Sequence, residues 1–123
     1  VRLRIARVSD GLSKTLLIEE DAGRPFYYVS PGKLGPLNRD YTDKQDISNG
    51  VALGGGWAQP DNKMTLNGTQ ANGLKDPGTC FMNCTNNNEL YSFHTGGGCA
   101  VLADSSTKFV PEDTDPLVFA SAI

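Results

Sequence analysis

Near its start the chain alternates polar and apolar residues: Arg2, Leu3, Arg4, Ile5, Ala6, Arg7, Val8. A period of two is the side-chain repeat of a strand, so residues 2–8 are predicted as a half-buried strand with Leu3, Ile5 and Val8 toward the core. Ser9, Asp10 and Gly11 then turn the chain. A second apolar run, Thr15-Leu16-Leu17-Ile18-Glu19-Glu20, is too short for periodicity to separate strand from buried helix. Its Thr and Ile and its flanking turns favour a strand. Phe26-Tyr27-Tyr28-Val29 reads as a brief aromatic strand stopped by Pro31-Gly32. Leu90-Tyr91-Ser92-Phe93-His94 reads as another, and it feeds the most strongly patterned stretch of the chain, residues 93–110. There the triple glycine Gly96-Gly97-Gly98 leads into the apolar run Cys99-Ala100-Val101-Leu102-Ala103, a polar turn Asp104-Ser105-Ser106, and Thr107-Lys108-Phe109-Val110. Two strand-forming runs around a small polar turn are the local signature of a β-hairpin. Beyond it, Asp115 followed by Pro116 marks a helix start, and residues 117–123 are predicted to begin a helix that the sequence cuts short.

The stretches between these elements are polar and rich in Gly, Asn and Asp, above all residues 33–50 and 61–79. The expected architecture is therefore α+β, mostly β: one small antiparallel sheet with long loops, in a single domain over residues 1–123. With 123 residues there is enough chain for one modest core. The net charge of −3 comes with no basic cluster, which argues against nucleic acid as a partner. No apolar run reaches the roughly twenty residues needed to cross a bilayer. Val1 is not an initiating Met, and we read the chain as part of a longer one.

Candidate chemistry is sparse. His94 is the only histidine, and no nucleophile elbow of the Gly-x-Ser-x-Gly kind accompanies it, so no enzymatic activity is expected. His94 and Asp104 stand ten residues apart, at opposite ends of a strand about 20 Å long or less, so one ion could bind both only if the glycine loop folds back. The simpler expectation is structural: His94 bonds to backbone in the turn of Gly96 and Gly97, Asp104 caps the hairpin tip, and the four residues form a keystone of the fold. Cys80 and Cys84 are close enough in a loop to close a disulfide in an oxidising compartment, while Cys99, inside the apolar run, is expected to be a buried small hydrophobe. Asp40, Asp43 and Asp46 recur at every third position without matching a calcium-loop spacing, and they read as a solvated face. Trp57, delivered by Gly54-Gly55-Gly56, is either a core plug or a platform for a flat ligand. With Tyr27, Tyr28 and Asp61 it makes up the candidate ligand-binding set.

From Cys80-Phe81-Met82-Asn83-Cys84 through Tyr91-Ser92-Phe93-His94 to Phe109, the sequence resembles the prepilin-like domain of unknown function 1559, whose mark is His, nine residues, then Asp-Gly. Here nine residues separate His94 from Asp104, and Ser105 stands in the place of Gly. Residues 9–20 are similar to the family's Asp-Gly-x-Ser-Asn-Thr segment, with Lys14 where Asn is usual, and residues 22–25 and 55–58 resemble its internal motifs. The resemblance implies a type IV pilin-like or pseudopilin-like protein, with a leader and an apolar N-terminal helix ahead of a β-rich head. It further implies a structural subunit of an extracellular or cell-surface filament or secretion assembly, with other pilin-like subunits as partners, and calcium held by loop carboxylates as the cofactor of related heads. Membrane contact would come only through the missing helix. The alternative is a secreted or surface module that binds a solute or glycan through the aromatic set.

Overall fold

The computed structural model describes residues 4–30, 32–37, 50–52, 67–75, 77–87 and 89–122. Three strands, β1 (Leu16–Glu19), β2 (Gly97–Leu102) and β3 (Thr107–Pro111), form one antiparallel sheet in the order β1-β2-β3. One short helix, α1 (Pro116–Ala120), follows. Among the described residues the chain is thus β-rich with little helix, and β2, the first strand of the hairpin, is the central strand of the sheet.

The register assigns the two faces of the sheet. Leu16 pairs with Leu102, Gly98 with Val110, and Glu19 with Ala100, and these positions point inward. Ile18 pairs with Val101 and Cys99 with Phe109, and these point outward, with an irregularity between Leu16 and Ile18 that displaces Leu17. Inside, Leu16 and Val110 pack on a cluster of Phe81, Met82, Leu90 and Phe119. Burying each of these large side chains contributes about 1.5–3 kcal/mol, so this is the main core. Phe119 reaches it because Asp115 caps α1, accepting from the Leu117 amide at 2.8 Å, with Pro116 at the first helical position. Phe81 and Met82 reach it from a loop closed by the Cys80–Cys84 disulfide, whose Cα atoms are 6.2 Å apart.

A second core of Tyr27, Val29 and Ala52 lies under the irregular segments. Asn86 ties these together. Fully buried, it accepts from the Tyr28 amide at 2.8 Å through Oδ1 and donates through Nδ2 to the carbonyls of Phe26 at 2.8 Å and Ala22 at 3.2 Å.

Four expectations are corrected here. Residues 4–8 of the strand expected over 2–8 do not make one: Ile5–Arg7 is a 3-10 turn and Ile5 is exposed, because the alternation finds no partner strand to pair with among the described residues. Residues 26–29 and 90–94 form isolated bridges and not strands, since Phe26 pairs with Val51, Tyr28 with Leu34, Val29 with Thr85, Leu90 with Met82 and Tyr91 with Asp21, and so many different partners cannot build a ladder. The C-terminal helix is not left unfinished. The Ser121 amide bonds back to Leu117, and the Ala122 carbonyl accepts from Leu16 at 2.6 Å, which seats the turn after α1 against β1.

Candidate functional site

The residues singled out for chemistry meet at the start of β2. Glu20 continues β1 by one position: its amide donates to the Cys99 carbonyl at 3.1 Å, and its Oε2 accepts from the Cys99 amide at 2.9 Å. The segment before β2 arrives with Ser92 buried, its amide held by Asn83 Oδ1 at 2.9 Å and its Oγ accepting from the His94 amide at 3.0 Å. Gly96, at φ 82°, then reverses the chain. Gly97 lies so close to β3 that a Cβ would run into the Val110 carbonyl oxygen. This turn folds His94 back over the outer face of the sheet, where its Nε2 stands 3.9 Å from Glu20 Oε1. The ligating atoms of Glu20, His94 and Cys99 all lie within 4.8 Å of one another, the grouping among the described residues that could hold a metal ion.

Beneath it, Tyr28, Tyr91 and Phe93 form an aromatic cluster. Phe93 meets Tyr28 edge-on at 5.1 Å and Tyr91 at 5.7 Å, and Tyr28 and Tyr91 stack at 6.0 Å. The Tyr91 hydroxyl donates to the Ser30 carbonyl at 2.5 Å and accepts from the Gly32 amide at 2.9 Å, and burial pushes it above its ordinary pKa. Beside this cluster Arg24 Nε contacts Asp21 Oδ2 at 2.7 Å. Burial pushes the Asp21 carboxyl up to about 7, against the pull of Arg24.

The structure separates the residues expected to work together. His94 is exposed, its side chain 64% accessible, and its imidazole faces Glu20 instead of buried backbone in the glycine turn. Asp104 stays at the hairpin tip, where its Oδ1 accepts from the Ser106 amide at 2.9 Å and from the Ser106 hydroxyl at 2.6 Å; those bonds lower its pKa. Cys99 is not a buried hydrophobe but a free, exposed thiol, because it occupies the outward phase of β2. Tyr27 is withdrawn from any ligand-facing surface: it is 0% accessible and donates its hydroxyl to the Gly73 carbonyl at 3.0 Å. Tyr28 is half-buried in the aromatic cluster. Trp57 and Asp61 lie outside the described residues, as do Asp40, Asp43 and Asp46. Cys80 and Cys84 are bonded to each other. Glu20 is the site residue that sequence reasoning missed. Its bond to Cys99 spans 79 positions, and no local pattern signals so distant a partner.

The outer face of the sheet is the other candidate surface. Ile18 is 61% accessible and Phe109 51%, with Cys99 exposed and Val101 half-buried between them. The opposite face is already occupied by the core, apart from a groove beside α1 lined by Leu16, Leu102, Val110, Val118 and Phe119 together with Lys14.

No curated protein and no solved structure matches the chain. A family profile described as a protein of unknown function (DUF1559) covers residues 1–117, and the chain belongs to that family.

Proposed function

We propose that this chain is the β-rich head of a pilin-like subunit in an extracellular or cell-surface assembly, and that its role is packing rather than catalysis. The observation that carries the proposal is the outer sheet face. A sheet covered on one side by its own core presents Ile18, Val101 and Phe109 on the other. Water does not favour so continuous an apolar strip, and an apolar helix laid across it would bury it. Membership of the DUF1559 family agrees with this reading through the prepilin-like resemblance of residues 80–109.

The test is the N-terminus and intact mass of the protein isolated from its native cells. The expected mature chain carries about twenty apolar residues ahead of the head, enough to span a bilayer. A mature chain that starts after an ordinary secretory cleavage site, with no such segment, would overturn the proposal.

A further inference from the structure

We propose that Glu20, His94 and Cys99 form a binding site for a zinc-class divalent cation, with one coordination position left open. The inference is independent of the pilin-like reading, since it rests on the donor set and its geometry alone. The three donors are a carboxylate oxygen, an imidazole nitrogen and a thiol sulfur, and their ligating atoms lie within 4.8 Å of one another. In a tetrahedral zinc site, bond lengths of about 2.0–2.3 Å place neighbouring ligand atoms about 3.3–3.7 Å apart. His94 Nε2 and Glu20 Oε1 are at 3.9 Å, and a metal that bridges all three donors draws the most distant of them together by about 1 Å, a movement the exposed imidazole of His94 can share.

The site is also built, in that the Glu20 carboxylate and the backbone carrying the other two ligands are held from behind. Glu20 Oε2 is fixed by the Cys99 amide, which leaves Oε1 turned toward the imidazole. One carboxylate oxygen anchored by a backbone donor while the other is offered is how outer-shell bonds orient a ligand. Cys99 is held by the β2 ladder and His94 by the Ser92 hydroxyl on its amide, so both ends of the glycine turn are fixed. Calcium and magnesium are poorly served by sulfur and nitrogen donors, whereas zinc accepts all three types. Binding releases the thiol proton to solvent, leaving the thiolate on the metal. Three protein ligands leave the fourth position to water or to a donor from a neighbouring molecule.

The experiment uses the purified chain, first shown by thiol titration to carry one free thiol and therefore an intact Cys80–Cys84 bond. Cobalt(II) is titrated in as a spectroscopic stand-in, and zinc is then added. The expected result is one cobalt per chain, with a thiolate-to-cobalt charge-transfer band in the near ultraviolet that zinc abolishes by displacement. Cys99→Ser removes the band, and His94→Ala and Glu20→Gln each weaken binding by about tenfold or more. His94 is exposed, so its variant keeps the fold, as unchanged amide exchange would verify. Absence of the band in the unmodified chain would overturn the proposal. So would a band that His94→Ala and Glu20→Gln leave at full affinity, since the thiol would then be capturing metal alone.

Discussion

Asn86 is the polar side chain on which the most backbone depends. It serves the Tyr28 amide and the carbonyls of Phe26 and Ala22, all within the irregular half of the molecule. A stranded buried partner costs about 1–3 kcal/mol, so Asn86→Ala is expected to lose about 3 kcal/mol or more in urea unfolding. A loss under about 1 kcal/mol would show that water takes over these bonds. Asp21 makes a prediction of a different kind. Its folded carboxyl is raised from 3.8 to about 7, so the fold binds this proton more tightly than the unfolded chain does. The resulting stability is fully present below the unfolded value and is lost as pH rises through the folded one. Glu19, also raised by burial, acts in the same direction, and a comparison with Asp21→Asn subtracts it. The urea midpoint of the parent should fall relative to that of the variant between about pH 4 and about pH 7. Parallel profiles would remove Asp21 from the pH dependence. Neither residue was legible in advance, because Asn86 sits in a run of asparagines that reads as loop, and Asp21 meets Arg24 in what reads as a turn.

The elements were legible where their causes are local. Residues 15–20 contain β1, residues 93–110 contain the hairpin except for Pro111 at the end of β3, and Asp115 and Pro116 start α1, each from signals within a few positions. The phase of β2 was not legible. A run in which Cys99, Ala100, Val101 and Leu102 are all apolar carries no alternation to say which side is buried, and only the core beneath decides that Ala100 and Leu102 turn inward. The hairpin tip shows a local cost that the sequence did announce. Ser105, in the family's Gly position, takes φ 70° with its Cβ against the backbone. Ser105→Gly should therefore raise the thermal midpoint, by the equivalent of about 1 kcal/mol, and no gain would mean that the tip relaxes around Ser. At the other end of β2 the two glycines should differ. Gly96 has open space but a positive φ, so Gly96→Ala costs about 1 kcal/mol. Gly97 has no positive φ, but Gly97→Ala must displace the β3 backbone, and its melting should be lowered further. Equal losses would refute the close approach of the two strands.

At the scale of the whole molecule, the asymmetry between the two sheet faces governs behaviour. Ile18→Lys and Phe109→Lys change exposed positions, so unfolding should shift by no more than about 0.5 kcal/mol, while sedimentation should show less self-association than in the parent chain. An unchanged sedimentation profile would mean that the apolar face is not what brings copies together. The metal-ligating trio belongs to this scale too, since Glu20 reaches Cys99 only when the first and last thirds of the chain are folded together. The sheet has a further property in its edges. On one side, β3 carries Lys108 and ends on Pro111, which has no amide to donate. On the other, the Leu16 amide of β1 is already taken by the Ala122 carbonyl. Both rims are blunted, so the subunits of the assembly we propose pack by laying surfaces together and not by zipping backbone to backbone. An assembly of that kind comes apart in mild detergent with each subunit still folded, whereas a strand-exchanged fibre has to be denatured before it releases its members.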